Sequence, residues 1–224
     1  MNNKLKKLYN EKWENLILHS KGTKAAYPLL IKVSDDYKNA DIRVMIVGQE
    51  TDGWGGLLEE NDKSITELQT AYFEYLYKNK RKNRRPFWNR KNFKYYKEQI
   101  IKKFPNCKVS FIWSNVSKIG KTSRGEPTKK IASLESNFFN VFEDELKILK
   151  PNIIIFSTGD RHIPLRHQTI KAVRNEPVSE VDLKSYPDIY AVRTYHPNAR
   201  IEGGKKHLKE EVSRLVFEAI TNVI

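Results

Sequence analysis

Two short polar clusters, far apart in the chain, hold the residue types that could do chemistry. The first is Gln49, Glu50 and Asp52, set in the glycine-rich stretch Gly48-Gln49-Glu50-Thr51-Asp52-Gly53-Trp54-Gly55-Gly56. The second is Thr194-Tyr195-His196-Pro197-Asn198. A carboxylate can orient water or take a proton, and an imidazole can donate a hydrogen bond to a developing negative charge. Each cluster follows an apolar, β-branched run, Ile42 to Val47 and Ile189 to Arg193, that reads as a strand. Open α/β sheets bind ligands at the carboxyl ends of their strands, so two clusters delivered there can meet in one cleft.

The elements that must position these clusters alternate along the chain. Leu5, Leu8, Tyr9, Trp13, Leu16 and Ile17 fall at helical spacing. Ser64-Ile65-Thr66-Glu67 has the capping-box pattern that starts a helix, ahead of Tyr72, Phe73, Leu76 and Tyr77. A further helix is expected through Phe93, Tyr96, Ile100 and Ile101, and a strand from Val109 to Trp113 that ends at Ser114-Asn115. Leu134, Phe138, Val141, Phe142, Leu146 and Leu149 make one helical stripe stopped by Pro151, and Ile153 to Phe156 is a buried strand ending near Gly159. A helix or turn is expected to lead into the Ile189 strand, and Leu208, Val212, Leu215, Val216, Ala219 and Ile220 form a closing helix. Apolar runs without strict alternation suit strands covered on both faces. The expected fold is therefore α/β: a three-layer α/β/α sandwich around a mostly parallel four-stranded sheet, in a single domain of residues 1–224.

Charge narrows the ligand. Lys and Arg number 41 against 27 Asp and Glu, a formal net charge of +14, which argues for a polyanionic partner: nucleic acid first, an anionic membrane surface second. The excess is concentrated in a basic, aromatic-rich insertion at about residues 78–97, where Arg81, Lys82, Arg84 and Arg85 stand beside Phe87, Trp88, Phe93, Tyr95 and Tyr96. Such a mixture can neutralise phosphates and offer stacking surfaces, although Phe87 and Trp88 also suit a plain core. A second basic loop, Gly120-Lys121-Thr122-Ser123-Arg124, ends like a phosphate-binding loop, but Asn115 replaces its upstream glycine, so that motif is rejected. Cys107 is the only cysteine and is expected to be a small buried hydrophobe. It excludes an internal disulfide or a four-cysteine cluster, and His162 and His167 lack clustered partners, so no metal and no cofactor are expected. With no apolar run near the ~20 residues that span a bilayer, and no secretory signal, a cytoplasmic monomer is expected.

Taken in order, Gly48-Gln49-Glu50, Trp113-Ser114-Asn115-Val116, Ile153 to Gly159 and His196-Pro197-Asn198 resemble the motifs of the uracil-DNA glycosylase superfamily, over roughly residues 40–204. The resemblance implies a parallel sheet flanked by helices that holds a flipped-out base and hydrolyses its N-glycosidic bond. It places Glu50 where a carboxylate activates water, and His196 where a donor stabilises the pyrimidine O2 as the base departs. Gln49 would offer its backbone N–H to the base pocket and Asn115 would read the pyrimidine edge. Trp54 is the expected stacking aromatic, with Phe87 and Trp88 as alternatives. Lys121, Arg124, Asn198 and Arg200 join the basic insertion as expected DNA contacts. Taken alone, a His-Pro pair also serves as a plain turn, and Asn115 as a helix cap.

Two departures from the family pattern bear on the substrate. Where uracil-specific members carry a Tyr that blocks substituents at C5 of the base, this chain has Asp52 followed by Gly53. That opens the C5 wall and favours a hydroxymethylated or glucosylated cytosine, as in viral DNA; Asp52 is also an alternative water-activating acid. Arg200, beside Ile201, stands at the position of the minor-groove wedge, usually Leu. The expectation is a monofunctional DNA glycosylase for a modified pyrimidine, with a role in anti-phage defence. Its alternatives are uracil repair and a catalytically silent nucleic-acid-binding protein.

Overall fold

A computed structural model describes residues 1–78, 91–159, 168–170, 178–195, 210 and 214. The expected closing helix, His162 and His167, and Phe87 and Trp88 lie outside the described residues.

The chain opens with helix α1 (Asn2–Ser20), whose Leu5, Leu8, Tyr9 and Leu16 are buried along one stripe. A short helix α2 (Asp35–Lys38), capped by Ser34, leads into strand β1 (Ile42–Gly48). Val44, Met45, Ile46 and Val47 are all buried, so both faces of β1 are covered, and the apolar run needs no alternation. Helix α3 (Ile65–Tyr77) starts at the expected capping box, with Ser64 and Glu67 satisfying each other's backbone N–H. Then come α4 (Lys91–Lys103), β2 (Val109–Asn115), α5 (Lys129–Phe138), α6 (Phe142–Leu149) and β3 (Ile153–Phe156). The last described strands are β4 (Gln168–Ile170), β5 (Val178–Leu183) and β6 (Tyr190–Thr194).

The sheet has six strands, in the order β2-β1-β3-β6-β5-β4, not four. The four expected strands form its parallel part, and β5 and β4 extend it antiparallel beyond β6. These two were expected as a helix or turn. Only Val178, Val181 and Leu183 of β5 are buried, a spacing that breaks strict alternation, so pairing with β6 and not local pattern makes the strand.

The single stripe from Leu134 to Leu149 is two helices. Phe139, Val141 and Phe142 all enter the core, but residues 139 and 141 lie some 200° apart around a straight helix. The chain breaks between them, with Phe139 leaving helical geometry and its N–H still bonded to Glu135 O. Cys107 is half-buried against the core.

Candidate functional site

The parallel register aligns the strand ends. Gly48 pairs with Asn115, Val47 with Phe156, and Phe156 with Arg193, so the Gln49, Asn115, Ser157 and Thr194 segments emerge on one edge of the sheet. Hydrogen bonds stitch them together. Val116 N donates to Gly48 O (3.0 Å), Ser117 N to Gln49 O (2.9 Å) and Ser157 N to Val47 O (2.8 Å), while Gly159 N donates to Thr194 O (3.0 Å). The Gln49 side chain spans two of these segments, donating through Nε2 to Thr158 O at 3.1 Å. Arg193 donates through Nε to Gly159 O.

Asn115 is held with one donor to spare. Trp113 and Asn115 share a face of β2, and the indole Nε1–H donates to Asn115 Oδ1 at 2.9 Å. Indole nitrogen is a donor only, so the amide oxygen must face it and Nδ2 becomes the outward group. Asn115 is 1% exposed, and its Nδ2 has no hydrogen-bond partner among the described residues. Gly48 is what lets the amide fit, because a Cβ there would stand 2.6 Å from Asn115 Oδ1. Thr51 Oγ1, Ser157 Oγ and Thr158 Oγ1, each from a strand-end segment, are likewise buried without a partner among the described residues. An unmet buried polar group costs about 1–3 kcal/mol. Four of them lie at the carboxyl edge of the sheet, the crevice in which open α/β sheets bind their ligands. Thr51, Ser157 and Thr158 were not expected as site residues; the signal for Ser157 and Thr158 was a pair of hydroxyls and a glycine directly after an apolar strand, and Thr51 carried none beyond its place between Glu50 and Asp52. Glu50 is half-buried beside Gln49.

The crevice walls are braced from below. Residues 24–29 lie in no strand but bridge two loops: Ala26 N donates to Gly120 O, Tyr27 N to Gly56 O, Leu29 N to Lys118 O, and Thr122 N to Lys24 O. Gly120 meets the Thr51 backbone so closely that a Cβ would overlap the Thr51 carbonyl oxygen. Lys118, fully buried, donates to Ser114 Oγ (2.7 Å) and pairs with Glu145 Oε2 (2.5 Å), whose other oxygen accepts from Tyr9 OH (2.6 Å). Burial raises the pKa of Glu145, opposed by the Lys118 charge. Glu135 accepts from the backbone N–H groups of Lys118 and Ile119, at 2.7 and 3.1 Å. Burial nevertheless pushes its carboxyl up to about 7.

Asp52 is exposed and lies beside Arg124, with 3.7 Å between Oδ2 and Nε. Gly53, at φ +63°, donates its N–H to Lys121 O at 3.3 Å, so the 51–56 and 120–124 loops close against each other at the crevice rim. Trp54 does not stand at the rim. It is 4% exposed, with its ring against Tyr75 (5.4 Å) and Trp113 (5.9 Å), which makes it a core aromatic. The indole expected to stack on a base, six residues past the end of β1, packs back onto Trp113 of the neighbouring strand β2. Thr194 and Tyr195 reach the crevice edge beside Gly159, while His196, Asn198 and Arg200, with Arg81, Lys82, Arg84 and Arg85, lie outside the described residues. Among the described residues no cluster of His, Cys, Asp and Glu could hold a metal ion, and no helix is long and apolar enough to cross a membrane. No family model, curated protein or solved structure matches this chain.

Proposed function

We propose that the chain is a monofunctional DNA glycosylase of the uracil-DNA glycosylase type, with the three-layer α/β/α arrangement of that superfamily, acting as a cytoplasmic monomer. One observation carries the reading: a locked amide donor, Asn115 Nδ2, buried with three hydroxyls at the ends of adjacent strands beside Glu50. A flipped pyrimidine presents carbonyl oxygens and ring nitrogens to such groups, and the +14 charge suits the DNA that carries it. In this reading Glu50 orients the water that bonds to the anomeric carbon as the glycosidic C–N bond breaks. His196 donates to O2 of the base, which leaves with the bonding electrons, and an abasic site remains. The Asp52–Arg124 pair beside Gly53 sets both an acceptor and donors on the rim, which suits a hydroxylated substituent at C5 of cytosine. Destruction of modified phage DNA follows as the biological role.

The test is to incubate the protein with DNAs containing cytosine, 5-hydroxymethylcytosine, its glucosylated form or uracil, and to identify released bases by mass spectrometry. Release of a C5-enlarged cytosine is expected. Release of uracil alone would move the protein to repair, and tight binding without release of any base would make it a silent binder.

A further inference from the structure

A cleft of about 280 Å³ lies against β2, away from the crevice. Its walls are Val109, Phe111 and Trp113 of β2, Leu76 and Tyr77 of α3, and Lys97 and Ile101 of α4, with Ser34 and Asp36 at α2. Along β2 it begins two residues before Asn115 and continues to six, roughly 7–20 Å from the crevice at 3.3 Å per residue.

Lys97 is the group that calls for a ligand. Its ammonium is half-buried, rests 5.3 Å from the Phe111 ring centre, and among the described residues has no carboxylate at ion-pair distance. The neighbouring Glu98 is engaged by Lys94 at 3.5 Å. Residues 79–90 hold six Lys and Arg and no Asp or Glu, so that stretch has no acid to offer either. Burial lowers the Lys97 pKa, as expected of a cation short of water. Next to the wall residue Tyr77, Lys32 and Lys78 sit over one ring, Phe73, at 5.7 and 5.9 Å, and Phe73 packs on Tyr77 at 4.8 Å. Cations alternate here with aromatic rings over several residues.

We infer that this cleft is a second nucleic-acid site, taking one nucleotide of a single strand. Lys97 meets its phosphate, Phe111 offers a stacking face, and Asp36 and Ser34 hydrogen-bond the base edge. A small free anion would need one cation, whereas Lys97 is accompanied by Lys78 and Lys32, which sit over Phe73 next to the cleft-wall Tyr77, as suits a strand that carries several phosphates. The inference does not rest on glycosylase activity.

Titration of the full chain with an unmodified ten-residue oligothymidylate, followed by tryptophan fluorescence and by anisotropy, tests it without any base to release. Saturable binding is expected, with Trp113 in the cleft wall changing its emission. Lys97→Gln should weaken binding several-fold and reduce the slope of log K against log salt by about 0.7, the value of one single-strand phosphate contact, and Lys97→Arg should restore both. Phe111→Leu should weaken binding by about tenfold through lost stacking. Lys97 is only half-buried, so Lys97→Gln keeps the test open if Phe111→Leu does not fold. Unchanged affinity and salt slope in Lys97→Gln would overturn the inference. So would thymidine monophosphate binding as tightly as the strand, which would make the cleft a small-molecule site.

Discussion

Replacing one oxygen of Glu50 by an amide nitrogen separates binding from chemistry at the crevice. On the proposed reading, Glu50→Gln keeps the shape and the hydrogen-bonding reach of the side chain but cannot take a proton from water. Base release should fall by about 10²-fold or more, the usual worth of general-base and electrostatic assistance, with affinity for DNA unchanged. Single-turnover release assays beside a binding titration check this. Full activity in Glu50→Gln would move the role to Asp52, whose exposed carboxylate lies beside Arg124. Among the residues expected at the site, Asn115 gains most from the structure. The family resemblance implies a reader of a base edge there, and on the proposed reading the Trp113 indole, by holding Oδ1, leaves Nδ2 to do it as a donor.

At the scale of elements, the ends of β1 and β2 fit together because Gly48 leaves room for the Asn115 amide. Gly48 has no unusual backbone conformation, so the objection to Gly48→Ala is contact alone: the new Cβ would stand 2.6 Å from Asn115 Oδ1. Relieving that contact displaces the amide and loosens its bond to Trp113. The expected cost is about 1–3 kcal/mol of stability, the range for overpacking. Ser64→Ala is the matched control. It removes a capping box at the start of α3 and should cost about 1 kcal/mol, with no displacement of the strand ends. Denaturant melts of both variants, set beside base release, should show release falling well beyond the stability loss in Gly48→Ala and unaffected in Ser64→Ala. Equal effects on release would mean that Asn115 tolerates the shift.

Across the whole molecule, the crevice floor is tied to three helices by buried charge. Tyr9 of α1, Glu145 of α6 and Glu135 of α5 all converge on the short link after β2, through Lys118 and the N–H groups of Lys118 and Ile119. The Glu135 carboxyl titrates at about 7 in the folded chain, above its ordinary value near 4.5. The folded state therefore holds its proton more tightly than the unfolded chain does. The resulting stabilisation is complete below pH ~4.5 and is lost as pH rises through about 7, to a total of roughly 3 kcal/mol. Glu135→Gln removes that titration. Urea melts from pH 4 to 8 should show wild-type stability declining relative to the variant across this window. Parallel pH profiles for the two proteins would place the ionised form of Glu135 at no disadvantage in the fold.

Much of this architecture could be read from local pattern, for a local reason. The turn geometry of a helix and the pleat of a strand are set by the chain's own backbone, so the stripe of Leu5, Leu8, Tyr9 and Leu16, the Ser64 capping box and the four apolar runs declare their elements without reference to anything distant. The placing of Gln49, Glu50 and Asn115 at strand ends follows from the same runs. Tertiary contact alone decided the rest. Strand β5 exists because β6 pairs with it, and α5 and α6 part company because Phe139 and Val141 must both reach the core. Trp54 became a core residue because Tyr75 and Trp113 were there to receive it. Lys118 and Glu145 meet across 27 positions of sequence, and Thr51, Ser157 and Thr158 stand out only because burial removes water from their hydroxyls and supplies no partner among the described residues. Pairing and desolvation are properties of what packs beside a residue, and spacing along the chain does not encode them.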